Sequence, residues 1–563
     1  MRNNLLYIRK HKILFSILVF LTLFRIVLAT KLPLQLQADE AYDDFLFAKY
    51  AKSLVSLEWL GDFSYISLVK GASFSVFLAF IYIIGIPYNL GLILLYIGSI
   101  LIFIKSIKVL INNKYFLSFL YIFLLFSPMM LHYENVGKVY RGGVILSFAL
   151  IITAGIIALY TRYNSNIKSL KKWSILTSLS LSYFWFLKED SVWILPFVLV
   201  GITISIFKLI KEKYKRNELL KRSILLVLPL IVLVISNITY KSINYFKYGE
   251  YTITDRNGTY YKKVLSDLVQ IDDGTSNEKY WVTKSMMDKA YAASESLAVI
   301  KDIMNKKYES GWIDETGEIN GDIIFWVIRE AFNEYGLYEK GGKYVNNYYK
   351  KVHNELEKAF ENGALKRSNE LYISSISKGI TKEELPKFLE QLKDGKDSII
   401  TYKDNDLGLY SSTGGRTNLA FFSEITNSSF ILDDVDERIY KPNELALKIS
   451  NKIVDFYKIT GKFLYYILVL ELLIMTVKLL LKKLKDKDLF LIMVGIFLSA
   501  LVLFVGTSFF CRFFYGTRRI YDYVASTVIF IEILEVFGIY YIIKDIKATL
   551  FKLKKIGSIY GKK

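Results

Sequence analysis

The chain has 563 residues, 53% of them hydrophobic and 16% aromatic, with a formal net charge of +20 and a mean hydropathy of +0.31. Apolar runs recur near the ~20 residues that cross a bilayer, which excludes an ordinary soluble enzyme and makes this a polytopic membrane protein. The basic residues gather in short segments between those runs, with no patch interleaved with stacking aromatics, so no nucleic-acid partner is expected. One cysteine, Cys511, and three scattered histidines, His11, His132 and His353, offer neither an internal disulfide nor a thiolate or histidine-rich metal centre.

The opening MRNNLLYIRKHK precedes an apolar run at 13–30 and reads as the cytoplasmic flank of an uncleaved first helix. Immediately after that run comes ADEAYDD at 38–44, four carboxylates in seven residues, at the membrane surface on the opposite side. Further apolar runs lie near 71–87, 89–104, 115–131, 142–160, 173–187, 191–210, 223–239, 462–481, 488–508 and 521–543. The connectors KSIKVLINNK (105–114), TRYNSNIKSLKK (161–172), KEKYKRNELLKR (211–222) and LKKLKDKD (481–488), and the C-terminal tail, are all basic and belong on the cytoplasmic side. Eleven crossings violate that sidedness. The segment 71–87, short and ended by Pro87, is therefore expected to enter the membrane without spanning it, which leaves about ten transmembrane helices with both termini cytoplasmic.

That topology divides the chain into an N-terminal transmembrane module (1–239) whose first outer loop is 31–70, a polar region (240–460) read as a soluble extracytoplasmic domain, and C-terminal transmembrane helices with a basic tail (461–563). In the polar region, GDIIFWVIREAFNEYG (321–336) and YVNNYYKKVHNELEKAFENG (344–363) show apolar residues at helical spacing, with Gly363 placed as a C-cap. SIITY and FILDD, within 397–435, read as a small strand element in a mostly helical domain. The fold expected is mainly α, a polytopic helical membrane protein carrying a mostly helical insert.

Charges beside spans are costly and mark candidate chemistry. The acidic side comprises Asp39, Glu40, Asp43, Asp44, Glu134, Glu189 and Asp190; the basic side comprises Lys70, Lys138, Arg141, Lys188, Arg512, Arg518 and Arg519. A face presenting carboxylates and guanidinium groups together suits a reaction between a hydroxyl and a phosphate ester. One carboxylate takes the hydroxyl proton, and cations hold the phosphate by charge-assisted bonds. If the knot is helical, Asp39 and Asp43 share one face, and Glu40 and Asp44 the next. The plainer alternatives are that Asp39 caps a helix, that Lys188 and Glu189 form only a surface ion pair, and that Arg518 and Arg519 bind lipid headgroups. Arg25 is expected to snorkel to the surface, and His132 to be a satisfied polar residue.

Asp39 and Glu40 at the start of the first outer loop, LVKGASFSVFLAF (68–80) and FWFLKEDSVWILP (184–196) together resemble the GT-C superfamily of polytopic glycosyltransferases, which take sugars from polyprenyl-phosphate carriers. Lys188 and Glu189 stand at that family's basic and acidic positions in the last of these. The polar stretch 321–336 is similar to a group of bacterial envelope proteins with the same layout.

The resemblance implies an inverting transfer at the extracytoplasmic face of the plasma membrane, from a polyprenyl-phosphate-linked sugar to a glycan, lipid or protein acceptor of the cell envelope. Asp39 would be the catalytic base with Glu40 assisting. Lys70, Arg141, Lys188, Glu189, Arg512, Arg518 and Arg519 would bind substrate or phosphate, with Asp43, Asp44 and Glu134 as secondary acids. No metal ligands are assigned, and Mg or Mn is an optional cofactor. The second half of the chain aligns with no motif of the family. A ligase or polymerase of lipid-linked oligosaccharides needs the same groups, whereas a transporter, flippase or scaffold does not.

Overall fold

The computed structural model describes residues 12–275, 279–309, 311–372, 384–433, 435, 437–515 and 520–560, without the side chains of 437, 514, 515 and 551–560. Nine helices among them are long and apolar enough to cross a membrane, so the protein is a helical membrane protein. They begin with α1 (Lys12–Thr30), after which come α2 (Asp44–Val55) and α3 (Ser73–Ile84), both of 12 residues. At ~1.5 Å per residue α3 is about 18 Å long, too short for hydrocarbon about 30 Å thick, and Gly85 in the left-handed region stops it (φ +72). The apolar 71–87 run therefore does not make a full crossing.

Helices α4 (Tyr88–Ile107), α5 (Lys114–Leu125), α6 (Gly142–Arg162), α7 (Ile167–Trp185), α8 (Leu195–Ile210) and α9 (Arg216–Tyr248) complete the N-terminal half. Of these, α7 falls outside the nine because Lys168, Lys171 and Lys172 charge its first turns and Ser174, Ser178 and Ser182 dilute the rest. Its 19 residues nevertheless match a span in length, and its hydroxyls turn inward: Ser178 bonds the Ser174 carbonyl at 2.7 Å. In α6, 83% of the most apolar stretch is buried, against 17% in α1, so α6 is the bundle's axis and α1 sits at the rim facing lipid.

At one end of the bundle the basic connectors meet. Arg162 donates to the Lys105 carbonyl at 2.9 Å, Arg222 to that of Ser165 at 2.7 Å, and Lys208 pairs with Asp488 at 3.2 Å. Cations there satisfy the carbonyls that helix ends leave open. The acidic knot lies at the opposite end.

Between α9 and the 40-residue α18 come α10 (Tyr260–Val269), α11 (Lys284–Ala293), α12 (Glu295–Ala298), α13 (Lys301–Tyr308), α14 (Ile323–Glu334), α15 (Gly342–Glu361), α16 (Leu385–Thr401) and α17 (Arg416–Thr426), then α18 (Lys441–Leu480) itself. Residues between Tyr261 and Leu365 form their own apolar core, whereas Ile399, Tyr402, Phe422 and Ile425 pack into the core of the bundle. The two segments with helical spacing are α14 and α15, and Gly363 follows α15 with φ +79.

The strand expectation fails: no strand occurs among the described residues, only isolated bridges. SIIT ends α16 because Gln391, Gly395, Ser398 and Ile399 are buried at spacings of three and four, and that period overrides the β-branched composition. In FILDD, whose last residue lies outside the described residues, Ile431 donates to the Leu34 carbonyl at 3.0 Å and accepts from Ser412 at 2.8 Å without forming a strand. Finally α19 (Lys487–Phe510) and α20 (Ala525–Tyr560) return to the bundle.

The insert is fastened to the first loop. Fully buried Arg329 on α14 donates to the Tyr65 carbonyl at 2.7 Å and pairs with Asp255, whose own amide donates to Leu68 at 2.9 Å. Replacing Arg329 by Met strands Asp255 as a buried carboxylate, an expected loss of about 3–5 kcal/mol read as a lower Tm in detergent. Adding Asp255→Asn recovers part of that loss.

Candidate functional site

Of the acidic residues at 38–44, only Asp44 lies in a helix; 38–43 are turns, and Asp43 occupies the N-cap of α2 without a side-chain cap bond. The shared helical face expected for Asp39 and Asp43 does not form. Both residues are instead steered by neighbours distant in sequence.

Asp39 is exposed, and its carboxylate accepts from the Gly415 amide at 3.0 and 3.1 Å and from the Asn418 side chain at 2.8 Å. It therefore caps a helix, as the plainer alternative has it, but that helix is α17 rather than its own. Glu40 is exposed, and its carbonyl accepts from the amides of Asp43 and Phe45 at 3.2 and 3.1 Å.

Asp43 is the centre of a network. Its Oδ1 accepts from Lys70 Nζ at 2.9 Å and from the Tyr140 hydroxyl at 3.0 Å, while 41% of its side chain stays exposed. Partial burial alone would raise this carboxyl, but Lys70 and Arg141 outweigh that and hold it well below the usual carboxylate range. Arg141, buried at 5% exposure, donates to Glu189 at 3.1 Å, to the Leu187 carbonyl at 3.3 Å and to the Tyr140 hydroxyl at 3.3 Å. Burial would raise Glu189 as well; Arg141, with Lys70 beyond it, lowers it.

Behind Asp43, Asp44 is buried, accepts from the Gln37 amide at 3.3 Å, and has Lys138 at 3.9 Å. Burial pushes its carboxyl up to about 7, with Asp43 adding to the shift against the pull of Lys138. The segment KVYR thus deals its side chains in turn: Lys138 to Asp44, Tyr140 to Asp43, Arg141 to Glu189.

Two segments named from sequence are pressed together to make this possible. A Cβ on Gly71 would lie 2.2 Å from the Phe186 carbonyl oxygen, and the Ser73 hydroxyl donates to the Tyr183 carbonyl at 2.7 Å. Lys70 and Glu189 are brought into one network by that contact. Beside it opens a pocket of roughly 180 Å³ whose lining includes Lys188, Glu189, Asn237, Lys241 and Asn257. Lys188 pairs with Asp190 at 2.7 Å and lies 5.8 Å from the Tyr523 ring, so the final connector also reaches this edge. The insert contributes Trp326, whose ring packs 4.5 Å from Tyr42 of the knot.

Glu134 lies on the turn Tyr133–Gly137, in the same loop as Arg141, and Arg512 on the turn Cys511–Tyr515. Arg518 and Arg519 fall outside the described residues. His132 is buried and held on both ring nitrogens, by Asp522 at 2.9 Å and by the Asp406 amide at 3.2 Å, as a satisfied polar residue should be.

Arg25 does not snorkel. It is fully buried and donates to the Leu125 and Met130 carbonyls at 3.2 and 2.7 Å, at the C-terminal end of α5. Nor are charges confined to the bundle's ends: Glu471 on α18 and Glu532 and Glu535 on α20 are fully buried in spanning helices. Glu532 accepts from the Ser127 hydroxyl at 2.9 Å, while both oxygens of Glu471 and of Glu535 have no hydrogen-bond partner among the described residues. The signal for Glu532 and Glu535 was visible as IEILE, and that for Glu471 as LVLELLI, each inside an apolar run.

No family model, no curated protein and no solved structure matches the chain.

Two expectations follow. Gly71→Ala forces the chain at 70–73 away from Phe186 and should lower both folded yield and Tm, measured by size-exclusion profile and thermal unfolding. Asp44, raised in the folded chain from 3.8 to about 7, favours folding in its protonated form. Its contribution is complete below 3.8 and lost as pH rises through about 7. Across that window wild-type stability should fall by up to about 1.4 kcal/mol per pH unit on its account, and Asp44→Asn should flatten that fall.

Proposed function

We propose that the protein is an integral-membrane glycosyltransferase that moves a sugar from a polyprenyl-phosphate-linked donor to a cell-envelope acceptor. What supports this reading above all is the network of Asp43, Lys70, Tyr140, Arg141 and Glu189. It gathers a partly exposed carboxylate and two cations from separate segments, beside a pocket that Glu189 lines and at the end of the bundle away from the basic connectors. With α7 counted as a tenth span, those connectors are cytoplasmic, both termini are inside, and the knot and the insert face the extracytoplasmic side of the plasma membrane.

In this mechanism Asp43, rather than Asp39, is the carboxylate at the reacting atoms. Asp39 is engaged by α17, and Asp44 is closed off from solvent; Asp43 combines a partly exposed side chain with Lys70 at 2.9 Å. The acceptor hydroxyl gives its proton to Asp43 as its oxygen bonds the anomeric carbon. On the opposite face the bond from that carbon to the phosphate oxygen breaks, and the phosphate leaves with the electron pair, so configuration inverts. Lys188 and Lys241 hold the leaving phosphate, and Lys70 turns toward it. Drawing Lys70 away removes the charge that keeps Asp43 weakly basic, so donor binding itself strengthens the base.

A pocket of roughly 180 Å³ is smaller than the ~300–1,000 Å³ of sites for larger ligands and fits one sugar-phosphate headgroup, which favours single-sugar transfer over a ligase or polymerase. Mg or Mn stays an optional cofactor, and nothing in the mechanism requires one.

The test is transfer in proteoliposomes from a panel of radiolabelled polyprenyl-phosphate sugars. Asp43→Asn should lose at least ~100-fold, while Asp39→Asn should lose much less. The opposite order would make Asp39 the base. If the wild type moves no label from any donor, the transferase reading fails.

A second reading, a transporter or flippase of lipid-linked glycans, draws on Glu471, Glu532 and Glu535, because buried acids inside spans mark ion or proton pathways. Under that reading, fluorescent lipid-linked glycan crosses liposome membranes without chemical change, and Glu535→Gln stops it.

A further inference from the structure

A second cluster of chemical groups lies in the insert, apart from the knot. Asp267 on α10 faces His353 and Glu357 on α15, and one ligand atom from each lies within 4.8 Å of the other two. His353 and Glu357 are four residues apart, so both project from one face of α15. His353 Nδ1 is 2.6 Å from Asp267 Oδ2, and the Asp267 and Glu357 carboxyls are within hydrogen-bond reach of each other. Asp267 is buried with only 4% of its side chain exposed, whereas His353 and Glu357 keep 17% and 34%, so the cluster has a closed floor and an open side.

We propose that Asp267, His353 and Glu357 bind a divalent transition cation, with Zn²⁺ the best match, as a brace between α10 and α15. Two carboxyls in contact need a positive charge between them, either a proton or a metal ion. One imidazole nitrogen and two carboxylate oxygens from two helices suit zinc, with water completing four-coordination through the open side. Ligand bonds of about 2.0–2.2 Å set ligand atoms a little over 3 Å apart, which small side-chain rotations supply here.

The surroundings hold these groups in place. Arg367 bonds Glu357 at 2.6 Å and leaves its second oxygen for the metal, and the Tyr260 ring packs 5.9 Å from the imidazole. Charge opposing a cation comes from Arg367 itself and from Lys263, one turn before Asp267 on α10. Their presence makes the site moderate rather than extreme in affinity.

The brace has a mechanical consequence. Helix α10 follows directly from Asp255, which anchors Arg329, and from Asn257, which lines the pocket. A cation tying α10 to α15 stiffens the support of that pocket wall, whatever the protein's activity.

The experiment uses the full-length protein in detergent, stripped with chelator and then dialysed against Zn²⁺. The wild type should take up one zinc per chain by mass spectrometry of the metal and gain thermal stability. Both His353→Gln and Glu357→Gln should weaken uptake at least ~10-fold while the stripped proteins keep the wild-type helical spectrum. Failure of the stripped wild type to take up zinc or to gain stability overturns the proposal and leaves a proton shared between the carboxyls. Uptake that survives both substitutions overturns it too, by placing the metal elsewhere.

Discussion

The buried guanidinium of Arg141 is the interaction on which the acidic end of the protein depends. With only 5% exposure it has lost its water, and it recovers that cost through Glu189, the Leu187 carbonyl and the Tyr140 hydroxyl. Each of those partners belongs to a connector between membrane helices. A single cation thereby fixes the 138–141 and 187–190 segments against one another, and Tyr140 passes the constraint on to Asp43. Lys70 completes the circuit from the third segment, which the absence of a side chain at Gly71 allows to approach.

In hydrocarbon every backbone group must be satisfied within the chain, which leaves helices and little else. Helices α9 and α18, at 33 and 40 residues, are about 50 and 60 Å long, well beyond the ~30 Å of hydrocarbon. The segment nearest α18 then returns: Tyr402, Phe422 and Ile425 fill the bundle core, and α17 presents its N-terminus to Asp39. The first loop is thus held from above by Arg329 and Trp326 and from the side by α17.

The buried glutamates of α18 and α20 pull in another direction. A buried acid in a span is expensive, and Glu532 and Glu535 lie on the order of 10–15 Å along α20 from its start, well inside the apolar stretch. They are separate from the knot, and a protein that merely displayed a soluble insert would gain nothing from them.

Much of the architecture was legible in the chain. Runs of apolar residues at span length, basic connectors, the shortness of 71–87 and the helical periods of α14 and α15 follow from local physics: the thickness of hydrocarbon and the pitch of a helix. At the site, sequence named Lys70, Arg141, Glu189 and the knot but put Asp39 first, because adjacent acids after a span look alike until their neighbours are known. What tertiary structure decided was the partner of each charge. Gly415 and Asn418 reached Asp39 from nearly four hundred residues away, Lys70 and Tyr140 reached Asp43, and burial closed Asp44. The strand expected at SIITY gave way to α16 for the same reason, since packing against the bundle rewarded a period of three to four over β-branched composition. Length, apolarity and the order of charges are properties a sequence carries within itself. Which carboxylate keeps an open oxygen beside cations depends on desolvation and on contacts between distant segments, and those exist only once the chain has folded.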